Sequence, residues 1–182
     1  SAYRDNFGEL LSGLQTALGR AHIIVITGGL GPTLDDITRE VVSRAINVAL
    51  IFSRTEYAKL RRRAARQGYR LTKSSRKQAY FPHGATVIPN KLGSAAGFLV
   101  KKDDRILISL PGVPAELKAM FDEWVIPYLK QLRLTKKQSK YVRLYGIPES
   151  YVDEAVVRII RGYNIEYGIT AKGGLVRVHL RG

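Results

Sequence analysis

Cysteine is missing altogether from the 182 residues, which excludes a disulfide framework and any thiolate metal site and fits a cytosolic protein. Long apolar runs are missing too. Nothing approaches the roughly 20 residues a membrane span needs, and Val48 to Phe52 has only the length of a buried strand or helix end. The opening residues lack a signal-peptide pattern, and Ser1 reads as a fragment boundary. Histidine is scarce: His22, His83 and His179 are too dispersed for a zinc site and read as structural or surface residues. No Ser-His-Asp or nucleophilic cysteine arrangement is visible, which argues against covalent catalysis, and there is no internal repeat. Acids are few beside bases, 15 against 30, giving a net charge of +15.

What is present is enough chain for one good core and a smaller appendage. Much of the positive charge falls in a central run of Arg54, Lys59, Arg61, Arg62, Arg63, Arg66, Arg70, Lys73, Arg76 and Lys77. Such a field attracts nucleotides or nucleic acid, and it equally reads as a solvated helix face.

The stretch His22-Ile-Ile-Val-Ile-Thr-Gly-Gly-Leu-Gly-Pro-Thr-Leu-Asp-Asp-Ile-Thr organises the chain. Its β-branched run from Ile23 to Thr27, with turn residues straight after, predicts a strand buried on both faces, as in a parallel α/β sheet. Gly28, Gly29 and Gly31 let a ligand come close to backbone N–H groups. A helix is expected next, capped by Thr33, with Ile37, Val41, Val42, Ala45 and Ile46 as its buried stripe. Strand, glycine turn and helix start are a standard way of holding phosphate. No Gly-Lys-Ser/Thr closes the loop, so it is not a P-loop, and Leu34 stands where a dinucleotide fingerprint wants its third glycine. Asp35 and Asp36 would repel a phosphate unless a divalent cation, Mg²⁺ or similar, lay between, which points to a metal-assisted phosphate site. Thr33-x-x-Asp36 also reads as a capping box with Asp35 complementing the helix dipole, and both readings stand.

The segment Thr27-Gly-Gly-Leu-Gly-Pro-Thr-Leu-Asp-Asp-Ile-Thr resembles the signature loop of the molybdopterin-binding-like (MoCF) domain, in the form found in the CinA (competence/damage-inducible) family. Three later segments resemble that family in the same order: Arg76-Lys-Gln-Ala followed by Pro82-x-Gly84-Ala, Asn90-x-x-Gly93-x-Ala-x-Gly97-Phe, and Leu110-Pro-Gly-Val-Pro-Ala-Glu-Leu-Lys-Ala-Met-Phe. The resemblance implies an α/β fold, a mostly parallel sheet with flanking helices in a three-layer sandwich, plus a small α+β C-terminal unit. It also implies metal-dependent hydrolysis of a nucleotide pyrophosphate such as ADP-ribose. On that view Asp35 and Asp36 hold the metal, and the amides of Gly28, Gly29, Gly31 and Thr33 bind a phosphate. Arg76 and Lys77 neutralise charge as the P–O bond breaks, and Gly112, Pro114 and Glu116 line the far wall, with Asp36 or Glu116 as candidate general base. In other members the same loop serves molybdopterin or nucleotide binding in molybdenum cofactor assembly. The expected partners are a nucleotide or pterin phosphate and further copies of the chain; a basic nucleic-acid-binding module is the non-enzymatic alternative, and no membrane is expected. The family's first strand, first helix and second strand have no counterpart here, so the domain over 1–133 is expected to be N-terminally incomplete.

Taken in order, Phe7, Leu10, Leu11, Leu14 and Leu18 predict an amphipathic helix from about Asp5, entered by a turn at Arg4-Asp5-Asn6. Residues from about Ser53 to Gln67 predict another, with Tyr57, Leu60 and Ala64 inward and Gly68 ending it. Ser74 and Ser75 offer a cap for a short segment through Ala79; Tyr80 to Gly84 is turn-rich and Thr86 to Pro89 a short strand. Gly97 to Lys101 and Arg105 to Leu110 form a hairpin, delivering Pro111-Gly112-Val113-Pro114 to a helix whose core face carries Leu117, Met120, Phe121 and Trp124, with a bend at Pro127. If the strands ending at Thr27 and Leu110 are parallel neighbours, both turns open at one carboxyl edge, where open α/β sheets bind ligands. A basic linker over 133–138 leads to the unit 134–182: strand Lys140 to Tyr145, helix Ser150 to Arg161, and two short strands around Gly173-Gly174. At under 50 residues it is expected to be marginal alone.

Overall fold

The computed structural model describes residues 2, 6–132 and 138–182; the expected Arg4-Asp5 turn and most of the linker lie outside the described residues. The chain divides into two compact units, Ser1–Gln131 and Leu132–Gly182.

The first unit opens with helix α1 (Phe7–Arg20), whose N-cap is Asn6: its side-chain oxygen accepts from the amides of Gly8 and Glu9. Leu10, Leu11, Leu14 and Leu18 of α1 join the core, while Phe7 stays largely exposed one turn too early to reach it. Strand β1 (Ile23–Thr27) then enters a four-stranded sheet in the order β1-β6-β5-β4, where β4 is Thr86–Ile88, β5 Gly97–Lys102 and β6 Arg105–Leu110. β1 lies parallel to β6, with Thr27 opposite Leu110, so the two strands end together as expected. The other two pairings are antiparallel. The sheet is therefore mixed, and the expectation of a mostly parallel sheet is corrected: β4, β5 and β6 follow one another through short connections, which can only reverse direction.

Alternation along the strands feeds two cores. On one face Ile24, Phe98, Val100 and Leu107 meet α1 and helix α2 (Thr38–Ala45) through Leu14, Val41 and Val42. On the other, Leu99, Ile108 and Leu110 meet Leu117, Met120 and Val125 of the last helical segment. The expectation that β1 is buried on both faces is also corrected. It is an edge strand, and Val25 remains 42% exposed on the second face.

A second, two-stranded sheet pairs β2 (Leu50–Phe52) with β3 (Tyr80–Pro82), a strand where turn was expected. Between them helix α3 (Arg54–Arg66) is capped by Ser53, buries Leu60 and Ala64, and stops before Gly68 at φ +75°. A 3₁₀ turn (Ser74–Ala79) follows; Ser74 and Ser75 do not cap it but bond the Thr72 hydroxyl, and Lys73 holds the cap position.

Helix α4 (Pro114–Met120) begins with Pro114 in its first turn and runs through a π turn (Phe121–Val125) into α5 (Ile126–Gln131). The Ile126 amide reaches back five residues to the Phe121 carbonyl, just ahead of Pro127, which has no N–H to give. One extra residue in a turn rotates the following face by about 100°. Val125 takes the core position expected of Trp124, whose ring is left 42% exposed.

The second unit is a three-stranded antiparallel sheet in the order β7-β9-β8, with β7 Ser139–Tyr145, β8 Glu166–Lys172 and β9 Leu175–Arg181, and helix α6 (Glu149–Ile160). Its core is small: buried Val152, Val176 and Val178, flanked by Leu144, Val156, Ile169 and Leu180.

Candidate functional site

The β1–α2 loop is shaped by glycines with left-handed backbone. The Gly28 amide donates to the Leu110 carbonyl at 2.9 Å, extending the β1–β6 ladder by one residue. Gly28 and Gly29 then turn at φ +94° and +65°. Their carbonyls point at the start of α2: the Thr38 hydroxyl donates to Gly28 O at 2.8 Å and the Thr38 amide to Gly29 O at 3.2 Å. A Cβ on Gly29 would lie 2.2 Å from that hydroxyl, so Thr38 in place makes glycine obligatory there.

Beyond the buried Leu30, Gly31 lies flat against the Asp36 carboxylate, 2.6 Å from where its Cβ would sit. The role expected of Thr33 is reversed. Helix α2 starts at Thr38 with Ile37 at its cap, and Asp36 folds back to accept the Thr33 amide at 2.8 Å and the Thr33 hydroxyl. Such local bonds offer the backbone an alternative to helix. Burial pushes the Asp36 carboxyl up, but the Thr33 hydroxyl, the amides of Gly31 and Thr33 and the nearby Lys77 charge outweigh it and hold the group below its ordinary 3.8. Leu34 and Asp35 stand at the exposed tip, Leu34 91% exposed.

Across the cleft, β6 delivers Gly112, whose absent side chain leaves room for the Gly28 backbone: a Cβ there would lie 3.3 Å from the Gly28 Cα. In the first turn of α4, Glu116 is half-buried and accepts a hydrogen bond of 2.6 Å from the Asn90 amide group through Oε2. Asn90 also donates to Ala95 O, while its own oxygen accepts from the amides of Leu92 and Gly93, so one side chain shapes the Asn90–Ala96 loop and aims Glu116. The resulting cavity of about 340 Å³ brings together Gly28, Gly29, Gly31, Asp36, Gly112 and Glu116.

The other expected site residues stand outside that lining. Asp35 and Thr33 are exposed on the loop, Pro114 serves the helix start, and Lys77 donates to the Thr33 carbonyl from behind the loop. Arg76 lays its guanidinium over the Phe52 ring at 4.8 Å. Three of the four expected amides are already occupied, Gly28 by Leu110 and both Gly31 and Thr33 by Asp36, whereas no protein acceptor among the described residues takes that of Gly29, the fourth, or that of its neighbour Leu30.

Four further residues shape the site. Arg39, 1% exposed, donates to Leu30 O at 2.9 Å and Ala96 O at 3.4 Å, with Phe81 5.7 Å from its guanidinium carbon. It ties the glycine loop to the Asn90–Ala96 loop. Burial pulls its pKa down to about 10, with Glu40 and Asp36 acting against that. Gln78, buried, donates to the Ser94 hydroxyl at 3.3 Å. Those two also line a second cavity of about 340 Å³ walled by Lys59, Arg62, Arg63 and Arg66 of α3, which places part of the basic run beside the cleft. Asn90-x-x-Gly93 carried a sequence signal as an Asx turn; Arg39, in the helix beside its apolar stripe, carried none. A larger cavity of about 610 Å³ beside the open edge of β1 is walled mainly by apolar residues of α1, β1 and α2.

Among the described residues no cluster of three or more His, Asp or Glu is placed to hold a metal, and no helix is long and apolar enough to cross a membrane.

Residues 1–131 match the family model described as a probable molybdopterin binding domain. A putative competence-damage inducible protein of Caldanaerobacter subterraneus subsp. tengcongensis is 38% identical over 180 residues, covering 93% of this chain and 44% of that one. Its counterpart in Desulforamulus reducens is 39% identical over 180 residues, covering 98% and 44%. The chain thus spans less than half the length of these relatives. The crystal structure of the protein CinA from Thermoplasma acidophilum, described as of unknown function, superposes with a TM-score of 0.62 at 29% identity, covering 68% of this chain and 72% of that one.

Proposed function

The chain belongs to the family of probable molybdopterin binding domains, and from that premise we propose that its glycine-loop cleft binds the diphosphate of a small nucleotide and, with a divalent cation, hydrolyses it, ADP-ribose being the representative substrate. One observation carries the reading: two glycine turns touch at the shared carboxyl edge of two parallel strands, with one carboxylate on each wall.

The roles follow from which groups are free. The Gly29 and Leu30 amides point positive charge at a phosphate without losing an existing bond. The donor set fits a hard cation shared with the ligand. Asp36 is ionised at neutral pH and has one oxygen not engaged by Thr33, and a magnesium ion is commonly held by one or two carboxylates plus phosphate oxygens. Such a cation, when bound, neutralises phosphate charge and acidifies a water. Glu116, its Oε2 held by Asn90, lines the cleft and takes the proton as water adds to phosphorus. The P–O–P bridge breaks to leave two phosphomonoesters. Arg39 keeps the two loops at one separation, and the nearby Lys77 braces the loop at Thr33.

The test is ADP-ribose turnover to AMP and ribose 5-phosphate with and without Mg²⁺, in the parent and in Asp36→Asn. Metal-dependent turnover lost in that variant supports the reading; turnover unchanged by the substitution rejects the role of Asp36. The family description favours a second reading, in which the cleft holds a pterin phosphate without hydrolysing it. Saturable pterin binding with no nucleotide turnover is the result that would favour it.

A further inference from the structure

The second unit carries a feature that the cleft does not use. Strand register puts Tyr141, Arg143 and Tyr145 of β7 on one face, opposite His179, Arg177 and Leu175 of the central strand β9. On the third strand the same rows end in Gly168, Thr170 and Lys172. The Tyr141 and His179 rings stack with centroids 4.5 Å apart and planes 7° from parallel, and Gly168 leaves the space beside them open. Tyr141 and Tyr145 are 62% and 78% exposed. The alternate residues Leu144, Val176 and Val178 face the other way, where Val152 and Val156 of α6 cover them, so the aromatic and basic face has no helix of its own unit on it.

Two details are hard to account for by stability. Arg143 and Arg177 stand directly opposite each other, an arrangement that destabilises a sheet, and among the described residues neither is in an ion pair. The buried Nε2 of His179 has no hydrogen-bond partner. An anionic chain with flat side groups meets the first of these, since both guanidinium-bearing residues are exposed, whereas the Nε2 lies out of reach of a surface ligand. Phosphates settle between the paired guanidiniums and bases stack on the exposed rings. We propose that this sheet face binds single-stranded nucleic acid, with Arg143 and Arg177 on the backbone and Tyr141, His179 and Tyr145 as the stacking platform. The pattern escapes a sequence search because the stacked pair comes from strands far apart in the chain.

The experiment is fluorescence anisotropy on the full chain with a labelled single-stranded RNA of about twelve nucleotides, with its duplex and with inorganic polyphosphate as competitors. Arg143→Glu is expected to weaken binding about tenfold or more while raising the melting temperature, because it sets opposite charges across β7 and β9. Tyr141→Ala is expected to weaken it at least about fivefold and Tyr141→Phe to leave it unchanged, since stacking needs the ring alone. Arg61→Glu on exposed α3 removes the same charge elsewhere and is expected to change affinity by less than about threefold. The proposal is overturned if Arg61→Glu and Arg143→Glu weaken binding equally while Tyr141→Ala has no effect, if duplex or polyphosphate competes as well as the single strand, or if the RNA does not bind. None of these outcomes depends on the cleft.

Discussion

Asp36 is held ionised by the loop it closes, and that makes its contribution to stability legible in a titration. Its folded pKa lies below the ordinary 3.8, so the stabilisation is fully present above that value and is lost as pH falls through the folded one. Urea midpoints of the parent should therefore drop more steeply below about pH 4 than those of Asp36→Asn, with the two curves converging once the pH has fallen below the folded value. At neutral pH the variant should lose about 1 kcal/mol, since an amide still accepts one bond from Thr33. A flat difference across the whole acid range would contradict this account. Two glycines make a second pair of expectations, opposite in sign. Gly29→Ala places a methyl 2.2 Å from the Thr38 hydroxyl at a left-handed φ and should cost about 2 kcal/mol or more. Gly19→Ala, inside α1 with nothing within 4 Å, should stabilise by about 0.5–1 kcal/mol. Thermal melts of the two variants decide it.

At the scale of elements, α3 turns a basic stripe toward the Asn90–Ala96 loop, and Arg63 donates to the Leu92 carbonyl there. Its cavity shares Gln78 and Ser94 with the cleft, so charge on α3 should be felt by an anion bound beside it. Arg62→Glu with Arg66→Glu should weaken ADP-ribose binding about tenfold at low salt and much less at high salt, as through-solvent charge effects are screened. Equal weakening at both salts in an equilibrium titration would mean direct contact instead. How far these elements were legible depends on how local their causes are. The β1–β6 pairing could be read because each strand is an apolar run ending in a glycine turn, and α3 because its stripe, Ser53 cap and Gly68 stop all lie within the segment. The start of α2 could not, because Thr33-x-x-Asp36 satisfies both a capping box and a closed turn, and the choice is made by Thr38 bonding to Gly28 and Gly29. The site was readable to the same extent. Glycines, Asp36 and Glu116 converge, while Arg76 is drawn away by Phe52, an aromatic partner that sequence spacing does not announce.

The two units differ most in how much apolar surface each encloses. The first buries two clusters, one on each face of its sheet, whereas the second rests on three fully buried valines and four partly buried neighbours. Stability per residue falls when so small a core must offset the ordering of its chain, so the second unit should unfold at lower denaturant. The molecule supplies its own probe for this. Its single tryptophan, Trp124, lies in the first unit and reports only there, while far-UV dichroism reads the β-sheet and helix of both. In a urea titration the dichroism should lose part of its amplitude before the tryptophan emission shifts, giving two resolved midpoints. Val178→Ala should move the early midpoint down and leave the late one in place, since deleting two methyl groups from so small a core removes about 1–2 kcal/mol with little capacity to repack. Coincident transitions by both probes, or a Val178→Ala shift of the tryptophan midpoint as large as that of the dichroism, would show instead that the chain unfolds as one cooperative body.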